Sequence, residues 1–255
     1  MNRSAPDRLL DVLGAFDQAH SALTLTQLAQ RADLPLATAH RLVGALARWG
    51  ALERDAAGCY HVGLRLWEIA ALAPRGLGLR QAALPYLEDL YEATHENVHL
   101  AVRDGTEVVY IERLSGRSAV GVHSRVGARW PLHATGVGLA LLAHTGPDFQ
   151  ERYGEGELAA FTPYTVTEPQ RLRLMLADVR HAGVAVSDRQ ITDDALSVAA
   201  PVRGPRGEVV AAVSVVVPAA GARTPALIPA VRVAGRGISR ALGWHPVSSS
   251  PRASV

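Results

Sequence analysis

Residues 23–50 read LTLTQLAQRADLPLATAHRLVGALARWG, and the N-terminal fold depends on where this stretch breaks. Apolar residues recur at helical spacing on both sides of a turn: Leu25, Leu28 and Ala29 before it, then Ala39, Leu42, Val43 and Leu46. Thr24 can cap the first helix, and Asp33-Leu34-Pro35 breaks the run. Pro35 suits the first turn of the second helix, which should stop at Gly50. Upstream, PDRLLDVLGAFDQAH places Leu9, Leu10, Val12, Leu13 and Phe16 on one helical stripe. Downstream, ALERD and CYHVG are short extended runs around the small-residue turn AAG. Three helices and a β-hairpin in this order are the layout of a winged helix-turn-helix.

In such a module the second helix enters the major groove with its N-terminal side chains on base edges. Here those are Leu36, Ala37, Thr38, His40 and Arg41. Arg41 can fork onto a guanine or clamp a phosphate, whereas Leu36 and Ala37 offer only apolar contact, for instance to a thymine methyl. Thr26, Gln27 and Arg31 on the preceding helix, with Arg48 behind, are candidates for backbone phosphates. Arg54, Tyr60 and His61 stand where a wing would reach an adjacent groove. From Thr24 to Arg65 five Arg face three acids, a net charge of only +2. Phosphate neutralisation supplies much of DNA affinity, so a module this weakly charged should work as a pair on a two-fold operator.

Past a further helix, LRLWEIAALA, the stretch PRGLG looks like a hinge, with Pro74, Gly76 and Gly78 as its candidates. The expected divisions are 1–63 for the winged helix, 64–78 for linker helix and hinge, 79–245 for a second domain and 246–255 for a disordered Ser-rich tail. In the second domain LRQAALPYLEDLYEAT reads as a helix, followed by strands NVHLAVRDG and TEVVYIERL about an Asp104-Gly105 turn. Helices TGVGLALLAH and EPQRLRLMLADVRHAG, strands LSVAAPVRG and GEVVAAVSVVVP, and helix PALIPAVRVAGRGISRAL complete it. The fold class is α+β, with a central antiparallel sheet in the second domain.

His95-Glu-Asn-Val-His99 matches H-E-x-x-H, a zinc protease signature. Two His at that spacing share a metal only on a helix, where they rise about 6 Å along one face. In a strand they stand roughly 13 Å apart. From Asn97 onward the pattern alternates, with Val98, Leu100 and Val102 opposite His99, Ala101 and Arg103. A strand is therefore predicted and no metal. The chain also lacks a G-x-S-x-G elbow and a phosphate-cradling Gly loop; no catalytic residue is assigned and the chain is read as a non-enzyme without a cofactor. Single Cys59 excludes an intrachain disulfide. No apolar run approaches the length of a spanning helix and the first residues resemble no signal, so cytoplasmic residence without membrane contact is the expectation. All 26 basic residues are Arg, in a chain of 255 residues with formal net charge +2.

LTQLAQRADLPLATAHRLVGALARWGALERD with CYHVGLRLWEIA, and VGARWPLHATGVGLALLA with LSVAAPVRGPRGEVVAAVSVVVP, resemble an IclR-type transcriptional regulator over nearly the whole chain. The resemblance implies a DNA-binding regulator, taken here as a repressor, whose GAF-like α/β C-terminal domain binds a small-molecule effector. It implies a homodimer or homotetramer. It places the effector against one side of the sheet, near Trp130, Val137, Gly138, Asp188, Ser197, Ser214 and Val216. His133 is a further candidate, and amides from Thr135 to Gly138 could seat a carboxylate. Leu139 stands where relatives often have Lys, Val216 where some have a hydroxyl, and SDRQITDDAL lacks the usual acidic pair followed by Gly. The pocket should therefore be less polar, and the expected effector is an apolar or aromatic carboxylate.

Overall fold

Thr24 caps α2 (Leu25–Arg31) through a reciprocal pair: its hydroxyl accepts from the Gln27 amide, and Gln27 Oε1 accepts from the Thr24 amide at 2.8 Å. Asp33 turns the chain with φ +52°, and Leu34 N donates back to Ala29 O at 2.9 Å. Pro35 then stands one position earlier than expected, as N-cap of α3 (Leu36–Trp49), its carbonyl accepting from the Thr38 and Ala39 amides. Ala39, Leu42, Val43 and Leu46 are all buried, and Gly50 ends the helix at φ +88°, a conformation open to glycine at little cost.

The structure, a computed structural model, describes residues 3–17, 19–73, 76–116, 120–121 and 124–245. The chain divides into two compact units, Met1–Leu77 and Gly78–Val255. In the first, α1 (Ala5–Gly14), α2 and α3 enclose a core of Val12, Leu23, Leu28, Leu42, Val43, Leu46 and Leu52. Leu10 is 61% exposed; it lies about 160° around the helix from buried Val12, so it leaves the expected stripe. β1 (Leu52–Arg54) and β2 (Tyr60–Val62) form the hairpin, and α4 (Leu64–Ala70) follows. Of the hinge candidates, Pro74 lies outside the described residues, as does the expected tail at 246–255. Gly78 falls within α5 (Leu77–Thr94), so it is helical rather than a hinge.

The second unit continues with β3 (Asn97–Asp104), β4 (Glu107–Leu114), β5 (Arg129–Pro131), α6 (Gly136–Leu142), α7 (Pro147–Glu155) and α8 (Pro169–Ala182). β6 (Ala185–Asp188), β7 (Ala195–Arg203), β8 (Val209–Pro218) and α9 (Thr224–Ala241) complete it. The six strands pair antiparallel in the order β5-β4-β3-β8-β7-β6. Strand alternation divides the core in two. Val98, Leu100, Val213, Val215 and Val198 pack under α5 and α9, while Ala101, Tyr110, Ala199 and Ala212 pack under α6 and α8.

His95 follows the end of α5 with φ +55°, and His99 lies inside β3. The H-E-x-x-H match thus straddles a helix end, and no group of three or more metal-ligating side chains exists among the described residues. None of the described helices is long and apolar enough to cross a membrane.

Candidate functional site

Two surfaces bear on function, one in each unit. On α3 the side opposite the core is open: Leu36, Ala37, His40 and Arg41 are exposed and Thr38 is half-buried. The helix keeps a filled inner face and presents these side chains outward from its first two turns. Thr26 and Arg48 are exposed as well.

The other predicted contacts carry internal duties. Gln27 has its carbonyl oxygen in the α2 cap, leaving only the amide nitrogen end for a phosphate. Arg31 donates to Ala15 O at 2.7 Å and pairs with Asp17 at 2.6 Å, so it clamps α2 to the end of α1 instead of reaching outward. Tyr60 is a correction. It belongs to the core, pairs its backbone with Leu23 and lies under the Arg54 guanidinium at 5.5 Å. His61, the next residue of β2, faces the other side of the strand, toward Asp55. Arg54 also donates to Gly58 O, and His61 Nε2 is 2.8 Å from Asp55 Oδ2, which fixes both side chains along the hairpin. That contact, led by the hydrogen bond to His61, lowers the Asp55 pKa.

In the second unit a pocket opens between the sheet and the start of α6, with about 530 Å³ of empty space counted out to its mouth. Trp130, Val137, Ser197, Ser214 and Val216 line it. The small residues of HATG explain the close approach. A Cβ on Gly136 would come 2.5 Å from Ser197 Oγ, and one on Gly138 would come 2.3 Å from Leu132 O. The start of α6 can therefore lie almost on the strand and on the preceding loop.

Three expected lining residues are elsewhere. His133 is buried away from the pocket, with Nδ1 at 3.0 Å from Tyr153 Oη and Nε2 at 3.0 Å from Ala159 O. Burial lowers its pKa, opposed by the Ala159 contact. Gly138 is packed on Leu132 and Thr135, and its amide donates to Thr135 Oγ1 at 3.1 Å. Asp188 is exposed at the end of β6 and pairs with Arg189. Side chains alternate along β6, so once Ser187 faces the pocket Asp188 must face away. Leu139, noted above as a departure from the family pattern, is fully buried in the α6–α8 core.

The pocket also holds residues that the strand pattern did not single out. His99, Tyr110, Ser124, Ser187, Gln190, Ile191 and Thr192 are among its walls. His99 is the second His of the rejected zinc match, and its Nε2 lies 2.7 Å from Ser124 Oγ, with the Tyr110 ring edge-on at 5.2 Å. Burial, with Arg113 adding like-charge repulsion, pushes its pKa down to about 3, so the ring is neutral. Burial raises Tyr110. Ser214 pairs with His99 across β8 and β3, and its hydroxyl is buried without a hydrogen-bond partner among the described residues. Among the described residues, none that lines the pocket is Asp, Glu or Arg. The site is a mostly apolar slot with a neutral, hydroxyl-rich floor.

Sequence comparison resolves what such a pair of units amounts to. Residues 5–56 match the IclR helix-turn-helix domain, and residues 72–240 match the bacterial transcriptional regulator IclR C-terminal domain. The chain belongs to the IclR family of transcriptional regulators. This IclR-type regulator is 35% identical over 240 residues to the HTH-type transcriptional regulator BhcR of Paracoccus denitrificans, covering 92% of this chain and 86% of that one. It is 28% identical to the HTH-type transcriptional repressor AllR of Klebsiella pneumoniae, covering 95% and 91%. Among solved structures it resembles an IclR homolog from Microbacterium hydrocarbonoxydans in complex with 4-hydroxybenzoate. The TM-score there is 0.89 at 39% identity, covering 94% of this chain and 99% of that one.

Proposed function

We propose that this regulator is a repressor that reads a palindromic operator with two copies of α3 and answers to an apolar or aromatic carboxylate held in the C-terminal pocket. The observation that carries the first half is the open outer face of α3, with Arg41 exposed behind Leu36 and Ala37 on a helix whose inner face is filled. Arg41 contacts a guanine or phosphate, Thr38 and His40 the adjoining bases, and Thr26 and Arg48 the backbone. Pairing is supported by the weak charge of one winged helix and by α4, which buries none of its residues and exposes Leu64, Trp67 and Ile69. The regulator works in the cytoplasm.

For the effector, the apolar walls of Trp130, Val137, Ile191 and Val216 suit an aromatic ring. Amides at Gly136 and Val137 are the donors a carboxylate would meet, and the Ser214 hydroxyl offers a hydrogen bond to a polar substituent. The complex formed by the Microbacterium relative makes 4-hydroxybenzoate the first probe. Binding would bias the placement of the paired DNA-reading units through the linker after α4.

The test has two arms. Genomic fragments retained by the protein are mapped by footprinting, and protected half-sites one helical turn or a multiple apart are expected. Thermal shifts are recorded with benzoate, 4-hydroxybenzoate and non-aromatic carboxylates, where a ligand at 100 times its Kd adds about 2.7 kcal/mol. An unstructured footprint overturns the operator assignment; a shift for non-aromatic acids alone overturns the effector class.

A further inference from the structure

We infer that Gln190 is the side chain that holds the acid group of the effector, its amide nitrogen donating to the carboxylate inside the C-terminal pocket. The inference rests on the proposed aromatic acid and deepens that reading, which gave the acid group backbone amides alone.

A kink in the backbone brings Gln190 to the pocket. Along β6 side chains alternate, and Ser187 lines the pocket while Asp188 is exposed. Carried one turn of the pleat further, that alternation would send residue 189 inward and residue 190 outward. Arg189 breaks it by adopting φ +54°, a left-handed conformation uncommon for a large side chain. Its guanidinium lies away from this pocket, 4.1 Å from the Tyr164 ring centre and paired with Asp188. Gln190 instead becomes part of the pocket wall, where it is only 3% exposed.

The side chain is fixed as well as buried. Val166 donates its backbone N–H to Gln190 Oε1 at 3.1 Å. Only the oxygen of an amide side chain can accept from an N–H, so this bond settles which end of the amide is which. The backbone beneath is pinned too: Thr165 Oγ1 donates to the Gln190 carbonyl and Thr162 Oγ1 to the Arg189 carbonyl, both at 2.6 Å. Nε2 is left at the other edge of the amide. Its two N–H groups meet no acceptor among the described residues, and the nitrogen stays open to the pocket.

Several other polar walls are already engaged. Ser187 donates to Ala134 O, Thr135 to Pro131 O, and Ser124 pairs with His99. A hydroxyl also rotates about its bond, whereas a planar amide locked by Val166 presents both donors in one fixed plane, the arrangement a carboxylate accepts. The fold uses only the acceptor end of Gln190, and a glutamate would supply that equally. The two donors have an acceptor only when a ligand brings one. A neutral donor also spares the free protein an unpaired cation buried in an apolar slot, which would cost it stability whenever the effector is absent.

Calorimetric titration of the full-length protein at about pH 8.5, with 4-hydroxybenzoate and its neutral carboxamide 4-hydroxybenzamide, tests this. Gln190→Glu keeps an acceptor for Val166 but replaces both donors by a negative oxygen. The ratio of the two dissociation constants should therefore move about 100-fold toward the amide. Gln190→Met, of similar length and without a donor, should weaken the acid about tenfold and the amide less. Thermal melts without ligand certify that each variant is folded. A role confined to pinning residues 162–166 would lower both affinities alike. An acid-to-amide ratio like that of the wild type, in either folded variant, overturns the inference and leaves the aromatic acid standing. Should no aromatic acid bind the wild type, the effector reading fails and this inference falls with it.

Discussion

The outer face of α3 and the floor of the C-terminal pocket do opposite things with the same kinds of side chain. On α3 the polar residues stand in solvent and the fold does not depend on them. In the pocket His99, Ser124 and Ser214 are almost completely enclosed, and His99 is neutral because it is enclosed. A surface reader can change its contacts at little cost to stability. A buried reader cannot, because each group that meets ligand is also part of the packing and must be satisfied by something when the ligand is absent. Ser214, whose hydroxyl has no partner among the described residues, is where that conflict is most visible.

The largest effect that would sharpen this contrast is Arg41→Ala. On the proposed reading of a two-fold operator two forked contacts are lost, each worth about 1–3 kcal/mol, so operator affinity should fall roughly 100-fold or more while the melting curve is unchanged. Fluorescence anisotropy on the operator and a urea melt read both quantities, and equal affinity would break the groove assignment. Gly138→Ala should do the reverse. Its Cβ would meet Leu132 O and Thr135 Oγ1 at 2.3 and 2.4 Å, costing the C-terminal unit about 3 kcal/mol in a urea melt.

Acid should separate the two units more gently. With His99 at about 3 in the folded protein and about 6.5 unfolded, the unfolded chain binds the extra proton between those values. Stability is therefore fully present above pH 6.5 and falls as pH drops, by about 1.4 kcal/mol per unit from this group until pH approaches 3. His99→Gln should flatten that slope, read from urea melts at pH 7.5 and 5; an unaltered slope would mean the ring is not held neutral. The smallest effect is the most diagnostic. Ser214→Ala removes a buried hydroxyl that has no partner among the described residues and should stabilise the free protein by about 1 kcal/mol, while weakening a hydroxylated aromatic ligand about tenfold. If both stability and affinity fall, the hydroxyl has a partner already and the floor is not poised for ligand.

How legible each region was in the sequence follows from the same contrast. The α3 core positions Ala39, Leu42, Val43 and Leu46 are four points of one helical period, and all four are buried. Tyr60 was misplaced because a three-residue strand gives alternation too few steps to fix which side faces in. β5, β6 and α7 escaped notice for related reasons: two are only three and four residues long, and α7 reads PDFQERYGE, with little apolar periodicity. In the pocket Trp130, Val137, Ser197, Ser214 and Val216 were reached through family resemblance, whereas His133, Gly138 and Asp188 do not line it. Asp188 could have been excluded once β6 was known, since Ser187 and Asp188 cannot share a face.

The sequence by itself determined the periodic features: the capped α2, the turn at Asp33, the inner face of α3, and the strand that denies His95 and His99 a shared metal. Each of these rests on neighbours a few residues apart, where backbone geometry alone decides the outcome. Only the tertiary structure decided that His99 meets Ser124 and Ser214, and that the Tyr86 ring of α5 lies on Gly237 of α9. Those pairs are 25, 115 and some 150 residues apart, and no local period records which strand or helix the folded chain brings beside another.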